Sequence, residues 1–425
     1  MKSCRAMHEQ IQLTFNSSNT PKQKLFREDV LQFRQFKKET VQLESKIQLA
    51  DGTTASVPVF VNEFWTAKQR AAHSLHEISY RACFKPQLAR FFIERLTLID
   101  ETVYDPFMGR GTTLLEAALF GRVPAGCDVN PLSLTLIGPR LRPPHLEDVR
   151  ARLAEINLQD HDEFPEDLLV FYHPETLREI AALKKHFSRP NLDTVDQWIS
   201  LVALNRLTGH SPGFFSVYTL PPNQAVSVKS QRKINADRAQ TPPRRDVVKL
   251  ILKKSRILLS DCDDATRVAL SSVASRATLV NGVARATPQI ADNSVSLVVT
   301  SPPFLDVVDY AGDNWLRCWF LGFDAKSIQI TIPKKLELWQ KEMTAVFHEL
   351  RRVLRAGGHV AFEVGEVRGG TIKLEETVIR CGVEAGLKPL LTLINDQKFT
   401  KTANCWGVNN NSKGTNTNRI VLFQK

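Results

Sequence analysis

The 425-residue chain has no apolar run approaching the roughly 20 residues that a membrane-spanning helix needs. Its start, Met1-Lys2-Ser3-Cys4-Arg5 followed by His8, Glu9 and Gln10, lacks the apolar core of a secretory signal. The seven cysteines, at 4, 83, 127, 262, 318, 381 and 405, include no C-x-x-C pair, and their number is odd. A disulfide framework is therefore not expected, and no Cys/His spacing suits zinc, so no metal is expected. Internal repeats and low-complexity tracts are missing too. These absences point to a soluble protein of the cytoplasm, without a membrane partner. A composition that is 43% hydrophobic and 24% charged is that of a folded chain, long enough for one large domain with additions.

Acidic residues are in the minority. The formal charge is +11, and the excess is concentrated. Between Lys229 and Arg256 ten basic residues stand against Asp237 and Asp246 alone, a surplus of eight. Clustered positive charge favours polyanions through release of their condensed counterions. Within this stretch Lys229, Arg232, Lys233, Arg238, Arg244 and Arg245 are the candidate contacts to double-stranded DNA, most of them to phosphates and some to base edges. A solvated charged surface is the plainer alternative.

Periodicity divides the chain into four parts. Residues 1–60 read as a polar N-terminal extension with weak strand signals at Val41–Leu43 and Ser56–Phe60. Residues 61–145 form the first part of a catalytic domain. Positions 63–98 read as helical, with Lys85-Pro86 opening a helix whose first turn tolerates proline. Thr102–Phe107 and Val123–Asp128 read as buried strands around a helix at Leu114–Phe120, a β-α-β unit that implies a parallel sheet. Residues 146–260 read as an insertion, with helices at Glu147–Ile156, Pro174–Phe187 and Val195–Leu207, a turn-rich segment and then the basic stretch. Residues 261–425 return to the α/β pattern. There the strands are Val295–Thr300, His359–Val364 and a final pair, Leu390–Ile394 with Arg419–Phe423. A helix at Met343–Leu354 is expected to close on a left-handed glycine in Arg355-Ala-Gly357-Gly358. The fold class is thus α/β, a doubly wound and mostly parallel sheet with an inserted, largely helical basic region.

Two segments carry chemistry. The first is Asp105-Pro-Phe-Met-Gly-Arg-Gly-Thr-Thr113, at a strand-to-helix turn. Gly109 and Gly111 allow unusual φ values and close approach of a ligand to the backbone. Asp128, at the tip of the next strand, is placed to accept hydrogen bonds from ribose hydroxyls. A dinucleotide is one contending ligand, but a carboxylate at Asp105 would repel its pyrophosphate and suits an ammonium group instead. S-adenosyl-L-methionine has an α-amino group and a ribose and no phosphate, so it is the favoured cofactor.

The second segment is Thr300-Ser-Pro-Pro-Phe304. Two prolines remove two N–H donors and stiffen the loop, leaving the carbonyls of Ser301 and Pro302 free to accept. Ser301 Oγ and the Pro302 carbonyl could hold the two hydrogens of an exocyclic amine, and Phe304 could stack on an extruded base. A rigid loop after a strand is the plainer reading of Ser301, Pro302, Pro303 and Phe304.

Together these segments resemble the DNA amino-methyltransferases that act on cytosine N4 or adenine N6, over roughly residues 76–131 and 279–365. Asp105–Thr113 is similar to the family's cofactor motif, and Thr300–Phe304 to its catalytic motif in the serine form. The resemblance implies an S-adenosylmethionine-dependent methyltransferase fold and transfer of a methyl group to an exocyclic amine of duplex DNA by base flipping. The serine form implies cytosine N4 ahead of adenine N6, with a guanine amine in structured RNA or a catalytically inactive binding protein as rivals. By the same resemblance Lys85 lies beside the methionine end of the cofactor and Asp105 meets its amino group. Phe107, Gly109, Gly111, Thr112 and Thr113 shape its pocket, Asp128 binds the ribose, and Gly282, in Asn281–Ala284, lies near the adenine. The resemblance also implies a target-recognition region between the two motifs, association with the nucleoid through DNA, and a restriction endonuclease acting on the same site as partner. The length between Phe304 and Gly357 departs from the family pattern. Within it Asp309–Trp315 could line the mouth of the pocket, or Trp315, Leu316, Trp319 and Phe320 form a buried core helix, the reading preferred.

Overall fold

The computed structural model describes residues 22–66, 72–80, 83–219, 225–303, 310–328, 335–365, 373–396 and 417–425. After helix α1 (Lys22–Gln32), strands β1 (Val41–Gln48) and β2 (Thr54–Asn62) form a hairpin. Helix α2 (Pro86–Leu96) leads into β3 (Thr102–Asp105), α3 (Thr112–Leu119), β4 (Val123–Asp128) and α4 (Leu132–Ile137). A run of helices follows: α5 (Leu146–Glu155), α6 (Pro174–Phe187), α7 (Thr194–Leu204), α8 (Val228–Asp237), α9 (Val247–Leu258) and α10 (Asp264–Ala274). The sheet resumes with β5 (Thr278–Asn281) and β6 (Val295–Thr300), then α11 (Tyr310–Leu321), α12 (Leu336–Val353) and β7 (Leu354–Gly365). Helix α13 (Leu374–Glu384), β8 (Lys388–Asp396) and β9 (Thr417–Gln424) complete the fold.

The strands make one sheet in the order β1-β2-β8-β9-β7-β6-β3-β4-β5. β4, β3, β6 and β7 run parallel to one another, as do β4 and β5 and also β2 and β8, whereas β9 is antiparallel to both neighbours. The expected fold class is the one found. Its reason is visible in β6, Val-Ser-Leu-Val-Val-Thr, which is buried at every position as a central strand covered on both faces must be. One face packs under α1 and α2 through an aromatic group of Phe26, Phe33, Phe64, Trp65, Phe91 and Phe92. The other packs under α12 and α13, where Phe347 meets Phe362 and Phe423 at ring separations of 4.8 and 5.2 Å. The helices from α4 to α11 share a third core around Trp198.

The strand order reverses at β3. The chain leaves β3 toward β4 and β5 and returns to β6 on the opposite side. In open α/β sheets this switch point leaves a crevice at the carboxyl ends of the strands, because the flanking connections go to opposite faces.

Several expectations shift. Positions 63–85 are not helical where described: apart from a short 3₁₀ turn at Ser74–His76, helix begins only at Pro86. Side chains and backbone carbonyls of the neighbouring core hold this segment instead. Buried Arg140 donates to the carbonyls of Leu75 at 3.2 Å and Leu136 at 2.7 Å, and Arg110 donates to Ile78 O at 3.0 Å. Helix α12 starts seven residues before Met343 and ends at Val353. Its closing residue, Leu354, is extended and already pairs with Val295, so no left-handed glycine cap is used. Gly357, at φ 72°, lies inside β7, where the pairing with β6 shifts register between Leu354 and His359. The hairpin within the supposed N-terminal extension joins the main sheet through β2 and β8. The core helix is found with Leu316 and Phe320 buried, whereas Trp315 and Trp319 are half-buried. Among the described residues no helix is long and apolar enough to cross a membrane, and no cluster of His, Cys, Asp and Glu could hold a metal ion. Among the described residues Cys127, Cys262, Cys318 and Cys381 carry free thiols.

Phe347→Ala should destabilise the protein by about 3–5 kcal/mol, the usual cost of emptying a buried ring site. Urea unfolding would measure it, and a loss under 1 kcal/mol would contradict the packing described.

Candidate active site

The loop after β3 and the loop after β6 emerge side by side, because Val103 and Tyr104 pair with Leu297 and Val298. Two hydrogen bonds join them. Thr300 Oγ1 donates to Asp105 Oδ1 at 2.6 Å, and Thr113 Oγ1 donates to the Val299 carbonyl at 2.9 Å. The first joins the two chemistry-bearing segments, almost two hundred residues apart in the chain, and the second ties the glycine segment to the end of β6.

The first loop owes its path to its glycines. Gly111 starts α3 at φ 76°, and a Cβ there would come within 2.8 Å of Ile137. Gly109, at φ 48°, passes beneath the Tyr80 ring. Its N–H donates to Asp128 Oδ2 at 2.8 Å, while Asp128 Oδ1 accepts from Asn130 N at 2.9 Å. Asp128 is thereby fixed at the tip of β4 with its carboxylate against the cleft.

A cavity of about 230 Å³ opens between these loops. Asp105, Phe107, Gly109, Thr112, Asp128 and Gly282 line it, and so do Ser301 and Pro303. Of the other expected site residues, Gly111 and Thr113 stand behind the wall and shape it. Lys85 precedes α2 next to the lining pair Cys83 and Phe84, and burial lowers its pKa. Pro302 is buried beside its lining neighbours. Phe304 lies outside the described residues.

Electrostatics single out Asp105. It is only 1% exposed, and burial pushes its carboxyl up to about 7 despite hydrogen bonds from Thr300 and from the Phe107 N–H. Among the described residues no cation stands among the causes of that shift. A buried carboxylate without a positive partner is a costly arrangement, which a ligand ammonium would relieve. Asp128 is raised by burial as well. The residues present thus fit S-adenosylmethionine: a carboxylate for its amino group, a second for its ribose, and a glycine loop that admits close approach.

Sequence reasoning missed several residues here. Glu363 is buried in β7, and burial raises its carboxyl, which accepts hydrogen bonds from the Ser301 hydroxyl and from Asn418 Nδ2, the latter at 2.9 Å. A charged residue inside the apolar run of His359–Val364 was the available signal. Trp339, Glu342, Met343 and Val346 on α12 close the far wall with Val283, Ala284 and Arg285. Nothing local in the sequence linked that helix to the cleft.

The basic stretch proves heterogeneous. Arg232 pairs with Asp167, and Arg244 pairs with Glu179 and, at 2.9 Å, with Glu175. Arg238 lies over the Tyr218 ring at 3.8 Å. Arg245 is half-buried, whereas Lys229 and Lys233 are exposed on α8. The segment leading into the stretch packs against α11: Ala225 N donates to Asp313 O at 3.1 Å, and Trp315 Nε1 to Val226 O at 3.2 Å.

Comparison with known proteins gives the following likenesses. The family described as DNA methylase matches residues 2–137, a span that holds the Asp105–Thr113 loop and stops before Ser301. The chain is 23% identical over 322 residues to type II methyltransferase M.BsoBI of Geobacillus stearothermophilus, covering 65% of this chain and 60% of that one. It is 31% identical over 136 residues to type II methyltransferase M.MvaI of Kocuria varians, covering 31% of this chain and 27% of that one. It therefore spans less than two thirds of the length of these relatives. Among solved structures, an rRNA methyltransferase of Streptomyces viridochromogenes aligns at 13% identity and a TM-score of 0.32, covering 83% of this chain and 89% of that one.

Affinity for S-adenosylmethionine should depend on pH through Asp105. The ammonium binds the ionised carboxylate, and in the empty site that carboxylate takes up a proton near pH 7. Affinity should hold above that point and fall roughly tenfold per unit below it, as one coupled proton requires. Calorimetric titration from pH 8 to pH 5.5 would follow this, and Asp105→Asn should bind weakly with a flat profile. A wild-type affinity that rises on acidification would refute the pairing.

Proposed function

We propose, for a chain that belongs to the family of DNA amino-methyltransferases, that it transfers a methyl group from S-adenosylmethionine to the exocyclic N4 of a cytosine swung out of duplex DNA. The observation that carries this reading is the joining of Asp105 and Thr300 at adjacent strand tips, with Ser301 and Asp105 lining one cavity. A cation-seeking carboxylate and an amine-seeking loop then face the same space.

The cofactor, when bound, supplies the methyl group on a sulfonium. Asp105 would hold its amino group and Asp128 its ribose. The exocyclic amine is a poor nucleophile because its lone pair is delocalised into the base. Ser301 already donates its hydroxyl proton to Glu363, so the lone pairs of Oγ can accept one amine N–H. The Pro302 carbonyl would accept the other. Both contacts favour a tetrahedral nitrogen with its lone pair aimed at the methyl group, and alignment of this kind supplies much of the barrier reduction. The proton released from nitrogen can pass through Ser301 Oγ to Glu363, whose raised affinity for protons makes it a suitable acceptor.

Cytosine is favoured over adenine by the serine that opens Ser301-Pro302-Pro303-Phe304. Nucleoside analysis after tritiated methyl transfer to duplex DNA and to RNA distinguishes N4-methylcytosine, N6-methyladenine and a methylated guanine amine. The biological partner in this reading is an endonuclease that cleaves the same unmodified sequence.

Ser301→Ala should lower turnover on the order of 10²-fold, as loss of one aligned polar contact in an active site does. Its affinity for S-adenosylmethionine should stay within about twofold, since Asp105 and Asp128 are untouched. Equal loss of both would undo the division of roles. For DNA, Lys229→Ala and Lys233→Ala should each weaken duplex binding and reduce its salt dependence by about one phosphate contact. Arg232→Ala should change both far less, because Asp167 already neutralises that guanidinium. Filter binding across a salt series would separate the two classes.

A further inference from the structure

The Ser301-Pro302-Pro303 loop has a difficulty built into its composition. Pro302 and Pro303 have no N–H, so these residues can be tied down only through their carbonyls. The loop must nevertheless hold still, because amine alignment tolerates little error. Among the described residues one side chain meets that need from outside the sheet. Trp339 Nε1 donates to the Pro303 carbonyl at 3.0 Å. The indole is 1% exposed and lines the cavity.

Trp339 sits in the first turn of α12, and the same face of that helix is fastened further along. Glu342 pairs with Arg285 at 3.0 Å, and both border the cavity. Glu349 Oε1 accepts from Thr287 N and from Thr287 Oγ1, each at 2.6 Å. Residues 339, 342, 346 and 349 recur at helical spacing, so one stripe of α12 contacts the loop after β6 at one end and the loop after β5 at the other. The β5 loop borders the cavity beyond Asp128, on the side away from Asp105.

We propose that Trp339 is a positioning residue for methyl transfer, with α12 as the bracket that sets the Pro303 carbonyl relative to the cofactor end of the cleft. Holding Pro303 by its carbonyl leaves the Pro302 carbonyl and Ser301 Oγ for the amine. This rests on the amine-methyltransferase reading above. A Trp placed here merely for packing would need its ring and not its N–H.

The test separates ring from N–H. Trp339 is replaced in the full-length protein by β-(3-benzothienyl)alanine, introduced by amber suppression, which keeps the ring shape and removes the donor. Trp339→Phe is the genetic companion. Single-turnover methyl transfer is measured with saturating S-adenosylmethionine and duplex DNA, beside cofactor affinity and thermal midpoint. The benzothienyl protein should lose about fivefold to tenfold in rate, the range of one neutral hydrogen bond. Its cofactor affinity should stay within twofold and its midpoint close to wild type. In a Ser301→Ala background the same replacement should cost less than twofold, because the loop no longer presents the group being aligned. An unchanged rate in the wild-type background, equal losses in both backgrounds, or a loss confined to cofactor affinity would each overturn the proposal. If the wild-type protein itself leaves every base amine unmethylated in this assay, the underlying function fails instead, and the two failures are thereby told apart.

Discussion

The hydrogen bond from Thr300 to Asp105 is the contact on which the site depends. It crosses from β6 to β3 at the point where the strand order reverses, and it does so in a place closed to water. Its acceptor is a buried carboxylate that no cation among the described residues accompanies. Such a group destabilises the empty site and becomes favourable only when a positive ligand arrives. The cost of holding it is met by the continuous apolar faces of β3, β6 and β7 beneath it, which fix both strand tips regardless of ligand. Placement of the two loops is thus a property of the sheet, and the charge imbalance is a property of the loop.

Around that contact the walls have separate origins. The glycine loop and Asp128 belong to the β3-α3-β4 unit and describe one end of the cleft. Glu363 of β7 accepts from the Ser301 hydroxyl and is itself held by Asn418 of β9, so even the antiparallel strand braces this wall. The helical region between β4 and β5 lies to the side, with its basic helix starting against α11. Its arginines are divided between internal ion pairs and the surface, which makes a count of positive charges a poor measure of how strongly this face attracts a polyanion.

Much of this was legible in the chain. The strands Val123–Asp128 and Val295–Thr300 and the helix Pro174–Phe187 announce themselves by apolar runs and periodicity, and the glycine and proline loops by composition. Those signals are local. The helical reading of positions 63–85 failed because the segment takes its shape from Arg110 and Arg140, whose donors arrive from distant positions. The glycine cap of α12 failed because pairing of Leu354 with Val295 ended the helix first. Glu363 and Trp339 could not be assigned from the chain alone, since their importance comes from strand order and from the bearing of one helix, and neither is written in any window of neighbouring residues.

The pairing of β2 with β8 has a consequence for the history of the molecule. A hairpin made within the first 62 residues finds its lateral neighbour only in residues 388–396. On a ribosome adding about 5–20 residues per second, it waits on the order of tens of seconds with both edges unmatched, one of which β8 later covers. Through that interval the nascent hairpin offers open backbone donors and acceptors to any other extended chain nearby. Closure of the sheet by its last-made strands is therefore the step at which self-association competes with folding, and a chaperone that shields extended segments would act on this hairpin first.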